Sequence, residues 1–125
     1  MDAEKTAQVN WLHAVEDHDY PAAESYLSLV DGPDQVRAIV ARLKAAPIVQ
    51  FKAKDIFRAS GLSLLGISNS HVAKDREKIK QGKGLAPLLL VRDPAKGTVI
   101  IADGYHRLCA VYQFDEDAVI PCKIA

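Results

Sequence analysis

Cysteine is nearly absent from this chain. Only Cys109 and Cys122 occur among 125 residues. Two thiols are too few for a disulfide framework or for a four-ligand structural zinc site. Burial as a small apolar side chain is the ordinary role of such a cysteine. We therefore expect both residues in the core and exclude the disulfide-rich class of small domains.

Long apolar runs are missing as well. The longest, such as residues 87–91, are far shorter than the roughly 20 residues of a membrane-spanning helix. The first ten residues have neither the basic start nor the apolar centre of a signal peptide. With 49% apolar and 26% charged residues, the composition is that of one globular domain. We expect a soluble cytoplasmic protein without a membrane partner.

Net charge is the third absence, because 16 lysines and arginines balance 16 aspartates and glutamates. A neutral chain with only 6% aromatic residues lacks the signature of a dedicated nucleic-acid-binding protein. The balance is uneven along the chain, however. Residues 1–45 contain eight acids and four bases, whereas residues 46–125 contain eight acids and twelve bases. The second half can therefore contain a basic site for a small anion.

The acidic first part, residues 1–45, has the pattern of a helical extension. Apolar residues recur at helical spacing over residues 4–18, and Pro21 suits the first turn of a second, short helix. The apolar face of that second helix would consist of Ala23, Tyr26, Leu27 and Val30. A third helix has the spacing i, i+3, i+4, i+7 at Val36, Ile39, Val40 and Leu43. No residue pattern in this extension indicates chemistry, and we interpret it as a cap or a partner surface.

Residues 46–125 alternate short apolar strands with helices, which predicts an α/β (α+β) domain. The predicted strands cover residues 48–51, 88–91, 98–102 and 119–124, and the predicted helices cover residues 54–60, 69–81 and 104–114. The strand at 88–91 is continuously apolar, so we expect it to be covered on both faces. Pro121 indicates that the last strand lies at an edge of the sheet.

The densest chemistry lies in the pentapeptide Asp103-Gly104-Tyr105-His106-Arg107, where a predicted strand ends and a helix begins. Glycine permits a sharp turn and the close approach of a ligand, and a helix N-terminus attracts anions. His106 and Arg107 add donors suited to phosphate oxygens. Asp103 could hold the arginine, take a proton or bind a metal ion. The structural alternative makes Asp103 a helix cap and Arg107 a member of a surface ion pair.

A second group lies on the helix predicted over residues 69–81. His71 and Asp75 are four residues apart, so they share a helical face and could share a proton or a metal ion. Lys74 lies one turn from His71 and could contact a phosphate. The plainer interpretation is a solvated helix on which basic and acidic residues alternate.

These segments resemble the ParB/sulfiredoxin-like superfamily. The resemblance rests on residues 85–91 (LAPLLLV), residues 99–107 (VIIADGYHR), Ala110 and residues 119–121 (VIP), and it covers about residues 67–124. It implies a small mixed sheet with flanking helices, preceded here by the helical extension. The superfamily includes nucleotide-binding domains of chromosome-partitioning proteins, sulfiredoxins, a free-serine kinase and ParB-like nucleases, so the resemblance is more specific for fold than for activity.

The resemblance places Gly104, His106 and Arg107 in the superfamily's phosphate-binding loop. Tyr105 stands where sulfiredoxins have their catalytic cysteine, so sulfiredoxin chemistry is not expected here. The helix that precedes the strand at 88–91 faces the ligand in this superfamily, and this implies that His71 and Lys74 close the pocket.

The expected ligand is a phosphorylated molecule, with a nucleotide of the ATP, ADP or CTP type as the leading candidate and Mg²⁺ held by Asp103. The expected ligand contacts are Gly104, Tyr105, His106, Arg107 and Lys74. The expected catalytic groups are Asp103, His106 and His71. If the site is catalytic, phosphoryl transfer or hydrolysis is the natural reaction, driven by positioning and charge stabilisation.

Two other functions remain open at this point. A ParB-like nuclease or another nucleic-acid-binding protein would use the same groups together with the basic helix at residues 74–83. A non-catalytic module would instead bind a protein partner through residues 1–45.

Overall fold

The computed structural model of the chain describes residues 9–66 and 68–125. Within these ranges, five helices and one four-stranded sheet form a mixed α/β (α+β) fold, which confirms the expected fold class. The helices are α1 (Asp19–Leu27), α2 (Pro33–Ala45), α3 (Ala53–Ser60), α4 (Ser70–Lys80) and α5 (Tyr105–Phe114). The strands are β1 (Val49–Lys52), β2 (Leu88–Asp93), β3 (Thr98–Asp103) and β4 (Val119–Ile124). After residue 46 the predicted elements agree closely with these bounds.

The strands lie in the order β1-β4-β2-β3. The two outer pairs are antiparallel, whereas the central pair, β2 and β4, is parallel. β4 is therefore an inner strand, and the prediction that Pro121 marks an edge strand is wrong. The proline is tolerated because pairing with β2 begins only at Cys122, so that at Pro121 the strand is paired with β1 alone.

β2 is buried on both faces, as its continuous apolar run predicts. Leu88 and Leu90 belong to a core formed with α3, α4 and α5, whereas Leu89 and Val91 belong to a core formed with α1 and α2. Successive residues of a strand point to opposite faces of the sheet. The sheet therefore lies between two helical layers, and the N-terminal extension forms one of them.

The helices of this extension agree with the sequence patterns in part. α2 buries the predicted stripe of Val36, Ile39, Val40 and Leu43. α1 buries Ala23 and Leu27, but Tyr26 is 44% exposed, and Val30 lies beyond the end of the helix and is 52% exposed. The predicted apolar face of α1 is therefore correct only for Ala23 and Leu27.

The helix predicted over residues 4–18 is wrong where the structure describes that segment. Residues 4–8 lie outside the described residues, and residues 9–18 contain no helix. The Leu12 N–H donates to the Leu85 carbonyl at 2.8 Å, and the Leu85 N–H donates to the Asn10 carbonyl at 2.8 Å. Val9 and Trp11, two residues apart, pack on the same core. Side chains at this spacing lie on the same side of an extended chain. Backbone bonds to a distant segment thus replace those of the predicted helix.

Both cysteines are fully buried, as expected. Burial raises the pKa of the Cys122 thiol to about 12 and also raises the pKa of the Cys109 thiol. A thiol is nucleophilic only as its thiolate, so these two cysteines lack the activated state of a catalytic cysteine. In the ranges 9–66 and 68–125, no helix combines the length and apolarity required to cross a membrane.

Candidate functional site

The turn between β3 and α5 depends on Gly104. Its φ of 106° lies in the region that side chains rarely adopt. A Cβ atom at this position would lie 2.7 Å from Cγ of Leu88 and 2.9 Å from Nη2 of Arg107. Glycine is therefore required both by the backbone conformation and by the close packing of the two neighbouring side chains.

The N-terminus of α5 follows directly. The Leu108 N–H donates to the Gly104 carbonyl at 2.9 Å, which is the first bond of the helix. Among the described residues, no side chain caps the helix at Gly104, so Asp103 is not the cap that the structural alternative required. The positive end of the helix dipole is consequently left without an acidic cap.

A cavity of about 220 Å³ lies between this helix end and one face of α4. We call it the basic cavity, and its lining residues are His71, Lys74, Asp75, Lys78, Asp103, Gly104, His106 and Arg107. The structure thus brings together the two segments that the sequence analysis singled out. Two lysines and one arginine line the cavity together with two acids, and burial raises the pKa of one of these acids, Asp75.

Two histidines meet in the basic cavity. The ring centroids of His71 on α4 and His106 on α5 are 4.8 Å apart. Partial burial and the proximity of His71 lower the pKa of His106, in that order of importance. His106 therefore stays neutral to a lower pH than an ordinary histidine, and a bound anion would favour its protonation.

Arg107 is held in place by several oxygens. Its Nη2 donates to Oδ2 of Asp103 at 3.0 Å and to the carbonyl of Pro87 at 3.4 Å. The same nitrogen lies 3.9 Å from Oδ2 of Asp19. The pair of Arg107 and Asp103 is mostly shielded from water, with side chains 18% and 16% exposed, so it differs from the surface ion pair of the structural alternative. These contacts fix the orientation of the guanidinium at the wall of the cavity.

Asp19 is one of two residues near the site that sequence reasoning missed. It begins α1, is only 4% exposed, and places its carboxylate beside Arg107 and Asp103. Within the described part of the chain, its Oδ2 has no hydrogen-bond partner. Burial, followed by the charge of Asp103, raises the pKa of Asp19. In the sequence Asp19 is an ordinary acid in a first helical turn, and only the packing of α1 on the sheet brings it to the site.

Lys78 was also missed, although the sequence contains the signal. His71, Lys74, Asp75 and Lys78 have the spacing i, i+3, i+4, i+7 of a single helical face. Arg76, by contrast, donates to Gln113 at 2.7 Å and lies over the Phe114 ring. The basic residues of α4 therefore do not form one continuous stripe toward solvent.

The side chain of Tyr105 leaves the basic cavity. Its hydroxyl donates to the carbonyl of Ser63, and its ring lines a neighbouring cleft. Of the residues predicted to contact a ligand, Tyr105 alone lies outside the lining of the basic cavity.

The described residues contain no group of three or more histidine, cysteine or acidic side chains arranged to hold a metal ion. Mg²⁺ prefers oxygen ligands and is commonly held by one or two carboxylates together with substrate phosphates. Asp103 offers the right donor atom, but its Oδ2 accepts a hydrogen bond from Arg107. Asp103 would therefore hold Mg²⁺ only in combination with oxygens of the ligand, and the Mg²⁺ site stays a prediction.

Comparison with known proteins finds no matching family model, curated protein or solved structure. The ParB/sulfiredoxin-like assignment therefore stays a prediction that rests on the sequence segments quoted above.

Proposed function

We propose that this chain binds a phosphorylated ligand, of the nucleotide class, in the basic cavity. The observation that supports the proposal is the convergence of one face of α4 on the uncapped N-terminus of α5. Lys74 and Lys78 come from α4, and His106 and Arg107 come from the first turn of α5. Basic side chains at a helix N-terminus are the donors that phosphate oxygens require.

Each group has a distinct part in binding. Lys74 and Lys78 supply mobile positive charges one helical turn apart, and the oriented guanidinium of Arg107 supplies directed charge. The backbone of Gly104 and Tyr105 forms the turn that the ligand approaches. A hydrogen bond to a charged group contributes about 1.5–3 kcal/mol, so the loss of one such bond should weaken binding by roughly ten- to a hundredfold.

Phosphoryl transfer or hydrolysis is the reaction that this set of groups would support. Neutral His106 is able to accept a proton beside the phosphate, and the proximity of His71 favours this neutral form in the free protein. Asp103 positions Arg107 through the bond at 3.0 Å. Mg²⁺, if bound with the ligand, would supply charge neutralisation at the phosphate oxygens.

Calorimetric titration with ATP, ADP and CTP, each with and without Mg²⁺, tests the proposal. We expect binding to the wild-type chain and a loss of about tenfold in Lys74→Ala, the effect of about 1.4 kcal/mol. Lys80→Ala is the matched control, because Lys80 is an exposed residue of α4 that does not line the basic cavity. No binding of any of the nucleotides, or equal losses in both variants, would overturn the proposal.

A further inference from the structure

A second cavity adjoins the basic cavity at the turn between β3 and α5. It has a volume of about 360 Å³, and we call it the apolar cleft. Its lining residues are Tyr26, Leu62, Ile101, Ala102, Asp103, Gly104, Tyr105 and His106. Three of these residues, Asp103, Gly104 and His106, also line the basic cavity. The two cavities therefore share one wall.

The apolar cleft differs from the basic cavity in chemistry. Its other lining residues are aromatic or aliphatic, and among the residues that the structure describes neither a lysine nor an arginine lines it. Ile101 and Ala102 of β3 are buried, whereas Tyr26 and Leu62 are each 44% exposed. The Tyr105 hydroxyl donates to Ser63, which ties the ring to the loop that contains Leu62. Apolar side chains around a concave surface are typical of a site for an apolar part of a ligand.

His106 lies at the boundary between the two cavities. Its ring centroid is 4.8 Å from that of His71, in the basic cavity, and 5.7 Å from that of Tyr105, in the apolar cleft. A ligand that occupied both cavities would have to pass this imidazole. The part of the ligand that joins its anionic group to its ring, which in a nucleotide is the sugar and the ester oxygen, would therefore lie beside His106.

We propose that the apolar cleft binds the flat ring of the same ligand whose phosphate occupies the basic cavity. This inference rests on the proposed function and narrows it. The ligand is a phosphate ester that carries a planar aromatic ring, as a nucleoside phosphate does, and not a sugar phosphate or inorganic phosphate; the faces of such a ring suit aromatic and aliphatic contacts. Tyr26 and Tyr105 supply aromatic surface for the ring, and His106 lies beside the ester oxygen.

Titrations with AMP, ribose 5-phosphate and inorganic pyrophosphate test this inference. AMP and ribose 5-phosphate share the phosphate and the sugar and differ in the base alone. Stacking of a base on aromatic side chains contributes enough for roughly a tenfold gain in affinity. We therefore expect AMP to bind about tenfold more tightly than ribose 5-phosphate.

Tyr26→Ser and Leu62→Ser should remove this gain and leave the affinity for pyrophosphate unchanged. Leu64→Ser is the matched control, since Leu64 is equally exposed in the same loop but does not line the cleft. Thermal unfolding verifies that each variant is folded.

The outcomes separate the two proposals. If neither pyrophosphate nor the esters bind, the proposed function fails and the inference fails with it. If pyrophosphate binds but AMP and ribose 5-phosphate bind equally, the inference alone is overturned. An equal loss of AMP and pyrophosphate binding in Tyr26→Ser also overturns the inference, because a subsite that contacts only the ring should not affect the affinity for pyrophosphate.

Discussion

The imidazole rings of His71 and His106 come from different helices and lie 4.8 Å apart in the basic cavity. Partial burial and the proximity of His71 lower the pKa of His106. A doubly charged anion between Lys74 and Arg107 would instead favour the protonated form of His106. Protonation and anion binding are therefore linked in this cavity.

Anion affinity should rise as the pH falls. His106 has a lowered pKa because of burial and His71, so it is neutral in the free protein at neutral pH and gains a proton more readily with an anion bound. Sulfate keeps its charge over this range, so it isolates the contribution of the protein. From pH 8 to pH 6 we expect sulfate to bind roughly fivefold more tightly, an effect of about 1 kcal/mol. His106→Gln should weaken this pH dependence, and an unchanged dependence in His106→Gln would count against the assignment.

Asp19 should limit stability at neutral pH. Its pKa is raised above the ordinary value of 3.8, first by burial and then by Asp103. The folded state therefore binds this proton more tightly than the unfolded state, and the free energy of unfolding falls as the pH rises from about 4 through the raised pKa. Asp19→Asn removes that charge. It should be at least as stable as wild type at pH 7, because the carboxylate that it replaces is buried and its Oδ2 has no hydrogen-bond partner among the described residues.

Urea unfolding of Asp19→Asn between pH 4 and pH 8 measures this effect. Asp17→Asn is the control, because Asp17 is an exposed acid two residues away. A loss of more than about 1 kcal/mol at pH 7 in Asp19→Asn alone would show that the ionised carboxylate stabilises the fold.

Gly104→Ala should destabilise the chain more than Gly97→Ala does. Both glycines have positive φ, 106° and 65°, so each substitution strains the backbone by about 1–3 kcal/mol. A Cβ at Gly104 also meets Leu88 at 2.7 Å, whereas a Cβ at Gly97 meets no atom of the described residues within 4 Å. The added overpacking is expected to cost about 1–3 kcal/mol more. Urea unfolding compares the two variants, and equal losses would contradict the close packing of the turn.

Single-stranded DNA should bind no more tightly than a mononucleotide at moderate salt. Arg76 of α4 faces Gln113 and Phe114, and the cavity concentrates its positive charge at one point. A long polyanion would therefore contact few basic groups, and its affinity would depend only weakly on salt. Fluorescence anisotropy with an oligonucleotide at two salt concentrations tests this. A steep salt dependence with tight binding would favour the nucleic-acid-binding alternative.

The sequence predicts the parts of the site that are local. The turn at residues 103–107 joins β3 to α5, and glycine there is a short-range signal. The face of α4 is also local, because helical geometry alone aligns His71, Lys74 and Lys78. Their meeting in one cavity depends on how α4 packs against α5, which the sequence indicated only through the family resemblance.

The remaining features depend on contacts between distant segments. Asp19 reaches Arg107 only because α1 packs on the sheet beside β3. Residues 9–18 lose their predicted helix because Leu85 offers backbone partners. Pro121 is tolerated in an inner strand because β4 pairs with β2 only from Cys122 onward. Hydrophobic periodicity carries no information on such pairings.

The most direct test of the central claim is NMR of the four histidine side chains during titration with inorganic pyrophosphate. His71 and His106 line the basic cavity, whereas His13 and His18 do not. We expect the imidazole signals of His71 and His106 to shift together and to saturate, while the signals of His13 and His18 stay in place. If His71 and His106 do not move at saturating pyrophosphate, or if all four histidines shift alike, the basic cavity is not a phosphate site.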